Sequence, residues 1–169
     1  MGIIIPESDM EFGTYQEKQV FQIEGSEQYK KKLRQQGVRC CEFILLRSDK
    51  LMFIEAKKSY PDPINGIIKN KNQYNADIKE IVEKMRHSLN LYANILLKRY
   101  VQDGVSEEMK NIENLTIRLV LVIKNADKSW IIPLQEKFRK ELYPEMHIWK
   151  IQDFIILNEE QARKKHIIV

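Results

Sequence analysis

The 169-residue sequence predicts an α/β chain, a central mixed β-sheet flanked by helices. Three observations predict it. The runs "FILLR", "KLMFIEAKK" and "NLTIRLVLVIKN" have the length and the β-branched, aromatic composition of strands. Between the second and third runs, Tyr74, Ile78, Ile81, Met85, Leu89, Tyr92 and Leu96 recur at helical period. Finally, only Ser48 and Asp49 separate the first two runs, so these form a hairpin. The strands on either side of the long helix can be parallel only through the crossover that the helix supplies.

In chain order, "MGIIIPESDM" has no basic leader region and is no signal peptide, and no stretch approaches the ~18 apolar residues that span a bilayer. "KQVFQIEG" reads as a short strand. "SEQYKKKLRQQG" reads as a short basic helix or turn, with Ser26 as cap and Gly37 as stop. "VRCCEFILLR" and "KLMFIEAKK" are strands, and "SYPDPINGI" is a loop, broken by two prolines and Asn-Gly. The long helix runs from about Asn70 to about Val101, with Lys79, Glu80, Glu83, Lys84 and Arg86 on its polar face. "PLQEKFRKEL" is helical, with Pro133 near its first turn. "HIWKIQDFIIL" reads as a last strand and "NEEQARKKHIIV" as a tail.

Composition bounds the rest. A chain that is 43% hydrophobic and 31% charged is ordinary for a globular protein and too apolar for a disordered one, and its length suits one domain over residues 1–169. A net charge of +4 permits nucleic acid without demanding it. Cys40 and Cys41 are adjacent; strand neighbours point to opposite faces, so they are poorly placed to pair with each other. With no CxxC or Cys/His ligand spacing, a zinc site is disfavoured, and reduced thiols in a cytoplasmic protein are the simple reading.

The stretch "LMFIEAKKSY" raises a question of charge. A buried strand ends by aiming Glu55 and Lys57 at one face, where each costs several kcal/mol (~2–7 for a neutral polar group, more for a charge) unless compensated. The hairpin register suggests an answer. With Ser48 and Asp49 at the tip, Arg47 faces Lys50, Leu46 faces Leu51 and Ile44 faces Phe53. The same register puts Glu42 opposite Glu55, their Cβ atoms ~4.5–5.5 Å apart on one face. Lys57 shares that face, ~6.5–7 Å along the strand. Two facing carboxylates share a proton or a cation. Their hard oxygens suit Mg²⁺ or Mn²⁺, which also bind phosphate. A simple Glu55–Lys57 ion pair is the plain alternative. Glu-x-Lys alone says little: Glu108-Met109-Lys110 repeats it in a polar stretch that reads as solvated surface.

"CEFILLRSDKLMFIEAKKS" resembles the core of the PD-(D/E)XK nuclease superfamily, the restriction-endonuclease-like fold, and the likeness in element order spans roughly residues 20 to 125. The resemblance implies a central mixed sheet flanked by helices and a Mg²⁺-dependent (or Mn²⁺-dependent) hydrolase of phosphodiester bonds, acting on DNA. It implies that Glu42 takes the first acid position, Glu55 the second and Lys57 the lysine position, with Glu42 and Glu55 holding the metal. The sequence departs from the superfamily pattern in having Glu42 where Asp is usual, after Cys41 rather than Pro. Many members carry another acid upstream; Glu24 and Glu27 are the candidates, Glu24 preferred because it sits at a strand end. Lys57 is expected to orient the attacking water or stabilise charge on the phosphate.

Lys58, Lys69 and Lys71 are candidates for phosphate contacts, as are Lys30, Lys31, Lys32 and Arg34; taken singly, solvated surface is the default reading of each. Trp130, Trp149 and Tyr60 could stack bases, although core packing is the default for the tryptophans. His87 and His147 have no partner at catalytic spacing. Two other readings stay open: a catalytically inactive binding subunit of a defence or repair complex that keeps this fold, and a nuclease directed at RNA. A homodimer or a protein partner is compatible with a chain so close to its core, and no membrane association is expected.

Overall fold

The computed structural model describes residues 2–100 and 104–169, and the side chains of these other than residues 66–68. The chain opens with an antiparallel hairpin, β1 (Ile3–Glu7) and β2 (Met10–Tyr15), turning at Ser8 and Asp9, both at positive φ. A five-stranded mixed sheet follows: β3 (Val20–Phe21), β4 (Phe43–Arg47), β5 (Lys50–Lys57), β6 (Thr116–Ile123) and β7 (Asp153–Asn158), in that spatial order. β3, β4 and β5 are antiparallel neighbours, and β5, β6 and β7 run parallel. The crossover from β5 to β6 carries α1 (Pro63–Leu96) and the short α2 (Glu107–Lys110). The crossover from β6 to β7 carries α3 (Lys128–Glu141) and α4 (Tyr143–Ile148), and α5 (Glu159–Lys164) ends the order.

The two faces of the sheet bury different partners, as strand alternation requires. Ile44, Leu51, Phe53, Leu119, Leu121 and Phe154 pack with the apolar stripes of α1 and α3. Phe43, Leu45, Met52, Ile54, Val120 and Val122 pack with the β1–β2 hairpin and with Ala162 of α5. Burying a side chain such as Phe53 contributes ~1.5–3 kcal/mol, so these two layers carry the fold. Among the described residues, no helix is long and apolar enough to cross a membrane.

The hairpin has the expected register: Arg47 pairs with Lys50, Leu46 with Leu51 and Ile44 with Phe53. The stripe of α1 is also as expected, with Tyr74 through Tyr92 buried and Leu96 packed against the core. Several boundaries differ. α1 begins at Pro63, inside the expected loop, because Asp62 accepts from the Ile64 N–H at 2.8 Å and proline is favoured at the first helical position. The backbone leaves the helix at Asn70, whose side chain then caps the longer stretch by accepting from the Gln73 N–H at 3.0 Å. The helix stops at Leu96, short of Val101, which lies outside the described residues. α3 starts five residues earlier than Pro133, capped by Asp127, since Trp130 and Ile131 bury on its first turns. Residues 147–152 are not strand: α4 runs through His147, and β7 begins at Asp153.

The β4 boundary matters most. The strand was expected from Val38 but begins at Phe43. The N–H of Arg39 donates to His87 Nδ1 (3.1 Å) and that of Cys41 to Ser88 Oγ (2.8 Å), so α1 side chains take the donors that a sheet partner would use. Cys40 and Cys41 therefore do not split between the two faces. Both bury as free thiols in the α1-facing core, where burial pushes the Cys40 thiol up to about 12.

Candidate active site

Strand alternation aims Glu55 and Lys57 toward α1, alongside Leu51 and Phe53. Glu55 is fully buried. Glu42 reaches the same place by another route than strict cross-strand pairing. The ladder ends at Phe43 and Ile54, and the Glu42 N–H donates to the Ile54 carbonyl at 3.0 Å, so Glu42 sits at a bend just off the ladder. The two carboxylates nevertheless converge. Lys84 Nζ, from α1, lies 2.8 Å from Glu55 Oε1 and 3.5 Å from Glu42 Oε1.

α1 contributes a second charged group one turn earlier. Glu80 Oε1 accepts from Lys57 Nζ at 3.1 Å, and Arg39 lies 3.6 Å from Glu80 Oε2. Lys57 Nζ is also 3.6 Å from Glu55 Oε1. Glu80 and Lys84 were expected on the solvated face of the helix. They flank Ile81 and Met85 on the shoulder of the apolar stripe, and the charged end of β5 turns that shoulder into a binding face. The signal in the sequence was that shoulder position, opposite a strand that ends in charge.

Glu24 also belongs here. Its carboxylate stands close enough to Glu42 to push that carboxyl's pKa up, in a segment anchored by buried Ile23 and by Ser26 Oγ, which accepts from the Tyr29 N–H at 3.3 Å. Glu27, the other upstream acid, is exposed and pairs with Lys31 at 2.5 Å. Lys57 opens onto a cleft of about 240 Å³ lined by Ser59, Tyr60, Pro61, Asp77 and Glu80.

The structure leaves the expected phosphate contacts outside this cluster. Lys58 pairs with Asp9 at 2.6 Å, beside the hairpin on the other face of the sheet. Lys69 and Lys71 are exposed, and Lys71 lies ~13 Å up the helix from Glu80. Lys30, Lys32 and Arg34 are exposed as well. Trp130 is buried in the core, and Tyr60 packs on Phe138. His87 is spent on the Arg39 backbone and His147 on the Tyr143 carbonyl. Glu108 and Lys110 pair with Lys18 and Glu107 at the surface, as solvated charges do.

The cluster has more carboxylate than its cations neutralise comfortably. Burial, then the neighbouring Glu24 carboxylate and the Glu55 charge, push Glu42 up to about 9 against the pull of Lys84. Burial pushes Glu55 up to about 7, against Lys84 and Lys57. Burial disfavours the Lys84 charge, but Glu55 and Glu42 outweigh it and hold its pKa above the ordinary lysine value. Burial also opposes charge on Glu80; Lys57, Lys84 and Arg39 prevail and keep its carboxyl below the usual range.

These shifts set a pH dependence. Glu42 and Glu55 bind protons more tightly folded than unfolded, so their contribution to stability is fully present below about 4.5 and is lost as pH rises through about 7 and about 9. Thermal melts in metal-free buffer should therefore show stability falling between about pH 5 and about pH 9, with Glu42→Gln flattening the slope. A slope that Glu42→Gln leaves unchanged would assign it to other groups.

The donor set fits a hard divalent cation. Glu42 and Glu55 direct oxygens at one point, and Glu55 Oε2 is buried with no hydrogen-bond partner among the described residues. At the same time, no three His, Cys, Asp or Glu side chains among the described residues converge as a complete metal site, and the shared point is taken by the Lys84 ammonium. Comparison with family models, curated proteins and solved structures finds no match for the chain.

Proposed function

We propose that this chain is a metal-dependent nuclease of the PD-(D/E)XK, restriction-endonuclease-like type, hydrolysing phosphodiester bonds in DNA. The observation that carries the reading is the convergence of Glu42, Glu55 and Lys57 at one end of β4 and β5, with a buried Glu55 oxygen left unpartnered. The element order supports it: an acid beside one strand, Glu-x-Lys on the next, a long helix, then a parallel strand.

Glu42 and Glu55 would hold Mg²⁺ or Mn²⁺, with Glu24 orienting Glu42. When bound, such an ion supplies Lewis-acid polarisation of the phosphate and a water acidified toward neutral pH. Lys57, tethered by Glu80, orients the attacking water and counters the charge that builds on the phosphate oxygens. Its side chain is 29% exposed, so it can meet a substrate arriving through the adjoining cleft.

One observation favours a second reading. Lys84 already bridges both carboxylates through their Oε1 atoms, as in a structural ion cluster that a non-catalytic binding subunit could keep. Incubation with supercoiled, linear and single-stranded DNA and with RNA, each with Mg²⁺, Mn²⁺ or EDTA, separates the two. The nuclease reading expects cutting of DNA with either metal and none with EDTA. Cutting of RNA alone would move the substrate, and no cutting in any arm would leave the binding subunit.

A further inference from the structure

The Lys84 ammonium stands where the two carboxylates meet. It is held at 2.8 Å by Glu55 and at 3.5 Å by Glu42, and its side chain is only 12% exposed. Its Cα is fixed by a helix whose next turn clamps the 38–42 segment: Ser88 Oγ donates to the Lys84 carbonyl at 2.7 Å and accepts from the Cys41 N–H. The position is thus built into the fold rather than adopted by a wandering surface lysine.

An ammonium in contact with Glu55 Oε1 and a divalent cation on the same carboxylate repel at short range, in a site with little water to screen them. Glu55 Oε2 is buried and unpartnered, so a cation that reaches Glu55 meets the carboxylate on which the ammonium already sits. The metal and the ammonium therefore compete for one place.

We propose, resting on the metal-dependent reading above, that Lys84 is a resident cation that the divalent metal displaces. Without metal it holds Glu42 and Glu55 in position and offsets part of their charge. On metal binding its flexible four-carbon stem carries the ammonium out toward solvent while the helix backbone stays in place. The device keeps the carboxylates preorganised at the expense of metal affinity.

The test compares Mn²⁺ binding by calorimetry in wild type and Lys84→Met, together with acylation of Lys84 in wild type followed by mass spectrometry. The expected results are Mn²⁺ binding roughly tenfold tighter in Lys84→Met, and a Lys84 that is protected from acylation without metal and modified once Mn²⁺ is added. Equal or weaker Mn²⁺ binding in the variant overturns the displacement while leaving the metal site intact. Unchanged protection of Lys84 in Mn²⁺-saturated wild type does the same, and needs no variant to fold. If wild type and variant both fail to bind Mn²⁺, the metal-dependent reading itself falls, and the displacement with it.

Discussion

Glu55→Ala is expected to lower the stability of the metal-free protein by ~3 kcal/mol and to abolish any stabilisation by Mn²⁺. Repulsion between Glu42 and Glu55 taken alone would give the opposite sign, a gain on removing one acid. Lys84 decides the matter. It lies closer to Glu55 than to Glu42, and truncating Glu55 leaves a mostly buried ammonium with one more distant partner. The cost falls at the low end of the range for breaking a buried pair, because Glu42 remains and because the Glu55 carboxyl, raised to about 7, is already partly protonated at neutral pH. A structural ion cluster would show the same loss of stability, so the discriminating readout is the metal. Denaturation with and without Mn²⁺ should show a shift in wild type and none in Glu55→Ala. A Mn²⁺ shift that survives the substitution would remove Glu55 from the metal site.

Lys57→Ala is expected to reduce cleavage by about 10²–10³-fold while leaving Mn²⁺ affinity unchanged. The ammonium has no role in holding the cation, but it is the donor positioned to act on water and phosphate. The fold should lose at most ~1 kcal/mol, because the lysine is partly exposed and Glu80 keeps Arg39 at 3.6 Å. Lys110→Ala, in the surface Glu-x-Lys of α2, is the matched control and should change neither rate nor stability. Rates and Mn²⁺ titrations on the three proteins check this. A Lys57→Ala protein that unfolds, or that loses metal binding along with activity, would make Lys57 a structural partner of Glu55 and Glu80.

The parts of the site that follow strand alternation could be read in advance. Glu55 and Lys57 share a face because they are two residues apart on a strand, and the Ser48-Asp49 turn fixes the register of β4 against β5. Glu42 was placed beside Glu55 for a reason only partly right. β4 begins only at Phe43, just after it, and the Arg39 and Cys41 N–H groups that would extend the strand donate instead to His87 and Ser88, more than forty residues away. No local pattern carries such a contact. Lys84 and Glu80 were hidden for the same reason: their spacing suits a surface ion pair, and only the docking of α1 on the sheet turns both of them inward.

The N-terminal hairpin was missed altogether. Its turn is Ser8-Asp9, the same dipeptide that joins β4 to β5, and neither is the Asn-Gly that marks such turns most strongly. Pro6 within β1 further masks the strand, and a proline is tolerated there because β1 is an edge strand, paired only with β2. Helix boundaries failed where a cap outweighed a breaker, as Asp62 does before Pro63 and Asp127 before the turn that buries Trp130.

Nicking of supercoiled DNA by wild type and Lys57→Ala, purified side by side and assayed with Mn²⁺ and with EDTA, decides most directly whether Glu42, Glu55 and Lys57 form a hydrolytic site. The expected result is nicked and linear product from wild type with Mn²⁺, none with EDTA, and a rate at least about 10²-fold lower from the variant. Equal rates from the two proteins would assign the cutting to a contaminant, and intact supercoils in every arm would contradict the nuclease assignment.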